Sequence, residues 1–258
     1  MTERVNQDPA RGLYPLLGRA LSDFHMIDKA EPILLGISGG KDSLMMAYLL
    51  NEMRNRSPVK YSLVGLTIDP GGESGFTDAE LETVRVFLEE GLGIPYRVVR
   101  TKINSIIEGH PKESACSLCA NLRRGALYKT ADEMGIRRLA LAHHLDDAIE
   151  TLFLNMFYQS SLRCFDPVTY LSRRDVTSIR PLVYIPEKEI VRVSQRLGLP
   201  VIKTRCPVAG TTRRQEMKAL VSDLTTKIPA FRNHMRSVLR QVWAMQRARS
   251  GQTQQSLS

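Results

Sequence analysis

Short runs of Val, Ile and Leu alternate along this chain with longer stretches whose apolar residues recur every three or four positions. Five runs have the length and branched-residue content of strands: Ile33–Ser38, Tyr61–Asp69, Tyr96–Thr101, Arg137–His144 and Val176–Val183. Between them, helical spacing covers Asp42–Met53, Thr77–Glu90, Leu118–Met134 and Ala148–Tyr158. Thr77-Asp78-Ala79-Glu80 has the form of a capping box, in which the first hydroxyl and the last carboxylate satisfy each other's backbone N–H. Ile185-Pro186-Glu187 opens another helix ending near Gly198, Gly210-Thr211-Thr212 precedes a further one, and Pro229–Arg249 reads as helical and basic. Strands alternating with helices predict an α/β fold, a doubly wound parallel sheet covered on both faces, followed by a helical, basic C-terminal part. Ligands in such folds bind beyond the C-terminal ends of the strands.

Pro9 to Met26 suggests a separate amphipathic helix, so the expected divisions are an N-terminal helical segment at 1–28, the α/β domain at 29–200, a basic helical segment at 201–249 and a disordered polar tail at 250–258. Of the 258 residues, 43% are apolar and 24% charged, ordinary values for a soluble globular protein. No apolar run approaches membrane-helix length, and Met1–Arg11 lacks the apolar stretch of a secretory signal, so a cytoplasmic protein with no membrane partner is expected. The net charge of +9 lies wholly in residues 203–258, which hold 11 Lys or Arg against 2 acids. Clustered cations without matching acids suit a polyanion such as nucleic acid.

The chemistry starts at Ser38-Gly39-Gly40-Lys41-Asp42-Ser43, between a predicted strand and a predicted helix. Gly39 and Gly40 let the backbone turn tightly and bring N–H groups close to a phosphate, and the following helix points its positive end there. Lys41 adds a point charge. Asp42 beside an anion makes chemical sense as a Mg²⁺ contact. The loop is not a Walker loop: Gly36 is one residue too close to Lys41, and Asp42 stands where Ser or Thr is required. It resembles the pyrophosphate loop of the N-type ATP pyrophosphatases.

The four cysteines are Cys116, Cys119, Cys164 and Cys206. In reducing conditions metal or redox chemistry is the better expectation than a disulfide. Cys116-Ser117-Leu118-Cys119 alone would serve a redox dithiol, half a zinc site or part of an iron–sulfur site. A second Cys-x-x-Cys, which zinc would want, is absent. Three thiolates would suit a cluster with one iron left open, and Cys206 is the natural third ligand. Cys164 reads as a bystander. Ala142-His143-His144-Leu145-Asp146-Asp147 joins a strand to a helix, where His143, Asp146 and Asp147 could orient a nucleotide, hold Mg²⁺ or move a proton; the acids equally suit a helix N-terminus. Asp69 falls at a strand end facing the same mouth.

Taken together, S-G-G-K-D-S, C-S-L-C-A-N-L-R-R-G, H-H-L-D-D-A-I-E-T-L-F-L-N-M-F-Y and I-R-P-L-V-Y resemble the tRNA 2-thiocytidine synthetases over roughly residues 30–240. The resemblance implies an adenine nucleotide α-hydrolase-like fold and tRNA thiolation. ATP and Mg²⁺ would bind on Ser38, Gly39, Gly40, Lys41, Asp42 and Ser43 with Asp69 and His143, and Lys41, Asp42, Asp146 and Asp147 would carry the chemistry. It also implies a 4Fe–4S cluster on Cys116, Cys119 and Cys206. The C2 oxygen of cytidine 32 would be adenylated and replaced by sulfur. The partners would be tRNA, held by Arg123, Arg124, Arg213, Arg214 and Lys218, and a sulfur donor such as a cysteine desulfurase or free sulfide, with a homodimer a further candidate. Thiolation of a uridine, or a non-catalytic zinc- and RNA-binding module, are the alternatives.

Overall fold

A computed structural model of the chain describes residues 8–108, 110, 112–203 and 213–255, in the case of 112–114, 116 and 250–255 by backbone alone. Cys206 and the side chain of Cys116 lie outside the described residues. Six strands form one sheet in the order β3-β2-β1-β4-β6-β5. They are β1 (Pro32–Gly36), β2 (Ser62–Asp69), β3 (Tyr96–Arg100), β4 (Arg138–Ala140), β5 (Val168–Leu171) and β6 (Val176–Ile179). All neighbouring pairs are parallel except β5 with β6.

The expected parallel sheet is therefore present, with one strand the sequence reading missed. Val168-Thr169-Tyr170-Leu171 is a four-residue hairpin arm at the sheet edge, with Tyr170 exposed. Its brevity and single-sided packing leave no periodic signal in what reads as a polar linker. The run Arg137–His144 contracts to β4, whose three residues are all buried. The other edge strand, β3, carries exposed Arg97 and Arg100, charges that discourage pairing with another chain.

The helices are α1 (Tyr14–Asp23), α2 (Lys41–Arg54), α3 (Asp78–Arg85, continuing through a π turn at Val86–Gly91), α4 (Ile103–Ile107), α5 (Lys112–Glu133), α6 (Leu145–Gln159), α7 (Glu187–Leu197), α8 (Arg213–Lys227) and α9 (Phe231–Gln255). The capping box at Thr77 forms: Thr77 Oγ1 accepts from Glu80 N at 3.2 Å, and Glu80 Oε2 from Thr77 N at 2.9 Å. Helix α5 starts well before the expected Leu118, so Cys116 sits inside its first turns along with Cys119 rather than ahead of it. Nothing between Lys112 and Cys119 breaks a helix, and Pro111 immediately precedes it in sequence.

Two apolar layers cover the sheet. One gathers α1, α2, α6 and the C-terminal helices around Leu35, Leu44, Ile149 and the fully buried Trp243. The other packs α5 over Leu34, Leu66, Leu139 and Val176. None of the described helices is long and apolar enough to cross a membrane. From β1 the chain winds outward to β2 and β3, and later returns to β4 on the other side. The loops leaving β1 and β4 thus diverge, and a crevice opens between them at their C-terminal ends.

Candidate functional site

The loop after β1 is built for an anion. Gly39 has φ +73°, where a side chain would be strained, and a Cβ there would lie 3.1 Å from Ile202. Ile202 N donates to Gly39 O at 2.9 Å and clamps the turn. Ser43 Oγ accepts from Ser38 N at 3.1 Å and donates to Gly40 O at 2.9 Å, which closes the loop on itself. Gly40 caps α2 in an extended conformation without a side-chain hydrogen bond, so the first-turn N–H groups of α2 have no capping oxygen. Lys41 Nζ meets Asp42 Oδ2 at 3.0 Å and Glu187 Oε1 at 2.9 Å. Lys218 Nζ reaches that same Glu187 oxygen at 2.9 Å. Burial favours the neutral forms of Lys41 and Glu187, but the pairing wins: Lys41 is raised above the usual lysine value and Glu187 is pushed down to about 2.

Asp42 Oδ1 is buried with no hydrogen-bond partner, and His144 Nε2 stands 3.8 Å from it. His144 itself acts as the N-cap of α6. Its Nδ1 accepts from Asp147 N at 3.2 Å, while Asp147 Oδ2 accepts from His144 N at 2.9 Å. With Nδ1 an acceptor, the neutral ring carries its proton on Nε2, facing Asp42. Asp147 also pairs with Arg214 and lies below the usual carboxylate range, burial being outweighed by His144 and Arg214. Glu150 contacts Arg214 Nε at 3.2 Å, yet burial holds it above its usual value.

A cavity of about 280 Å³ opens beside the loop, walled by Ser38, Asp42 and Ser43 on one side and by Arg123 and Leu127 of α5 on the other, with His143 between. Arg123 Nε and His143 Nδ1 are both buried there without a hydrogen-bond partner. Burial, reinforced by Arg180, pushes His143 down to about 4, so the ring is neutral at physiological pH. Cys119 is a free, half-buried thiol one helical turn before Arg123.

The crevice thus collects Ser38, Gly39, Gly40, Lys41, Asp42, Ser43, His143 and Asp147. Two expected residues face other tasks. Asp69 Oδ1 accepts from Gly71 N at 3.1 Å and Phe76 N at 3.2 Å, fastening the loop after β2. Asp146 accepts from Glu187 N at 2.7 Å and Arg232 Nε at 2.7 Å, tying α7 and α9 to α6. Of the expected RNA contacts, Arg214 and Lys218 turn inward onto carboxylates, Arg213 lies over the Tyr158 ring at 4.8 Å, and Arg124 is exposed. Glu187 escaped the sequence reading because an acid after Pro186 reads simply as a helix start. Cys164 is buried, its thiol pushed up to about 12 by burial, with Sγ donating to Ala148 O at 3.3 Å.

The PP-loop domain family matches residues 14–204. The tRNA-cytidine(32) 2-sulfurtransferase of Pelobacter propionicus is 42% identical over 236 residues, 90% of this chain and 86% of that protein. The protein of that name in Geobacter sulfurreducens is 40% identical over 228 residues, 87% of this chain and 86% of its own. Among solved structures, the U34-tRNA thiolase NcsA from Methanococcus maripaludis with its 4Fe–4S cluster is similar at a TM-score of 0.74 and 24% identity, covering 91% of this chain and 80% of that one. At that identity the likeness is one of fold.

Proposed function

We propose, from the premise that this chain belongs to the PP-loop domain family and to its tRNA-cytidine(32) 2-sulfurtransferases, that it replaces the C2 oxygen of cytidine 32 in tRNA with sulfur at the expense of ATP. One observation carries the reading: the phosphate loop and helix α5, which bears Cys119 one turn before the lining residue Arg123, line one cavity together. A target base entering it stands between an activating site and a sulfur-delivering one.

In this scheme the pyrimidine C2 oxygen attacks the α-phosphate of ATP and pyrophosphate leaves. Sulfur then bonds to C2 as the C2–O bond breaks, and the oxygen departs with AMP. Lys41 exchanges its Glu187 partner for the phosphates, and Lys218 remains to hold Glu187. The buried, unpartnered Asp42 Oδ1 is a fitting ligand for Mg²⁺, and His144 Nε2 supports it from behind. Arg123 presents a guanidinium to the adenylated base. The donor set also fits a cluster: Cys116 and Cys119 stand three positions apart on one helix, hence on one face, and the Cys119 thiol is free. With Cys206 they would hold a 4Fe–4S cluster, which when bound supplies Lewis acidity and an iron to carry sulfur. The sulfur comes from an external donor, a cysteine desulfurase or free sulfide, and the setting is the cytoplasm.

The test is thiolation by anaerobically purified protein supplied with unmodified tRNA, Mg²⁺-ATP and sulfide, followed by nucleoside mass spectrometry. 2-Thiocytidine mapped to position 32 is expected. 2-Thiouridine in its place would move the target to a uridine, and no thionucleoside at all would defeat the reading.

A further inference from the structure

The basic C-terminal residues divide into two groups by what they touch. Arg214, Lys218 and Arg232 each sit against a carboxylate of α6 or α7, the last two at 2.9 and 2.7 Å. They are spent on the fold. Helix α9 offers a different set. Its 25 residues contain five arginines and no acid. Arg232, Arg236, Arg240, Ala244 and Arg247 recur at four- and three-residue steps, one face of a helix, over about 22 Å.

Of the outer three, Arg240 alone has an ion pair among the described residues, a long and half-exposed one, and the other two are held by uncharged groups. Arg236 Nη2 donates to the uncharged Asn233 Oδ1 at 3.1 Å. Arg240 is 55% exposed and stands 3.4 Å from an Asp23 oxygen that already accepts from Tyr184 OH at 2.9 Å. Arg247 lies over the face of Phe24 at 5.3 Å, which fixes the guanidinium plane without cancelling its charge. Arg240 and Arg247 border a cavity of about 490 Å³ floored by Phe24 and Tyr184, between α9 and the end of α1. The row begins at Arg232, bonded to Asp146 in the first turn of α6 next to the crevice residue Asp147, and runs on along α9.

We propose that this face of α9, from Arg236 through Arg240 to Arg247, is the track along which the tRNA backbone runs away from the crevice, with the cavity at α1 receiving a phosphate. The proposal rests on the tRNA reading above. It reassigns the RNA grip from Arg214 and Lys218, which the fold consumes, to arginines of which, among the described residues, Arg240 alone stands near a carboxylate, the Asp23 oxygen at 3.4 Å. Guanidinium forks fixed by a neutral amide, an aromatic face and a long ion pair are preorganised for bidentate phosphate contact.

The experiment is fluorescence anisotropy of unmodified full-length tRNA titrated with the full chain across a salt series. Arg236→Ala, Arg240→Ala and Arg247→Ala combined should weaken binding by at least about tenfold and lower the log–log salt slope by about 2–3, while ATP binding and the thermal transition persist. The charge-matched control, exposed Lys60, Arg173 and Arg174 to Ala, should leave the slope within about one of wild type. If the triple variant loses its thermal transition, Arg236→Glu alone is read for the same tenfold loss. A wild-type slope in the track variant, or an equal drop in the control, overturns the proposal. Failure of the wild-type protein to bind tRNA at all defeats the functional reading instead, so the two failures are distinct.

Discussion

The two oxygens of Asp42 live in different circumstances. Oδ2 is matched to Lys41, while Oδ1 is buried with nothing bonded to it, a costly arrangement that a bound cation relieves. Asp42→Asn keeps the shape and removes the charge. The variant should keep its unfolding midpoint and lose thiolation by at least about a hundredfold, since a metal on a phosphoryl oxygen supplies several kcal/mol. An unchanged Mg²⁺ dependence in this variant would remove Asp42 from metal binding. His143 makes a second residue-level case. Its pKa is lowered to about 4 in the fold against an ordinary value near 6.5, so between those values the unfolded chain binds the proton and the folded one does not. Stability is therefore full above about pH 6.5 and falls as the pH drops toward 4, by about 2 kcal/mol at pH 5. Urea unfolding at pH 7 and pH 5 should show that loss in wild type and not in His143→Gln. Equal losses would place the acid sensitivity elsewhere.

Among the elements, α8 depends most on charge. Most of its cations gather toward its N-terminal end, and two of them, Arg214 and Lys218, engage carboxylates on α6 and α7. Arg214→Ala leaves Glu150, 4% exposed, without its partner. Because Arg214 is itself half exposed, the cost should be about 1–3 kcal/mol rather than that of a fully buried pair. Hydrogen exchange would locate it: faster exchange in α8 with an unchanged β-sheet is expected, and uniform loosening would contradict a local role. Helices and strands with a full periodic stripe, and the Thr77 capping box, were legible in the sequence because local side chains alone decide them. The same holds for the phosphate loop, whose glycines and charges are contiguous. The rest was not legible for physical reasons. The cap of α6 uses an imidazole where Ser or Asp is expected, and β5 is too short to show a period. The partners of Glu187, Asp146 and Arg214 lie 31 to 146 positions away, a pairing that exists only once the sheet has brought the helices together.

For the molecule as a whole, the sheet divides one crevice between two chemistries, with the thiol helix on one wall. Anaerobic purification should yield about four irons per chain, with acid-labile sulfide in equal amount. Serine at Cys116, Cys119 or Cys206 should abolish it. Serine at Cys164, whose thiol is buried and bonded to a backbone carbonyl, should not. Tightly bound zinc without iron would refute the cluster. The strand order has a further consequence, one of timing. In the finished sheet Ile33, Leu34 and Leu35 of β1 are fully buried, flanked by β2 on one side and β4 on the other. During synthesis β2 follows soon after β1, but β4 leaves the ribosome about 100 residues later, roughly 5–20 s at ordinary elongation rates. For that interval the nascent chain carries an open apolar strand edge at what becomes its centre, and the yield of active protein depends on that edge staying unpaired until Arg138–Ala140 arrives.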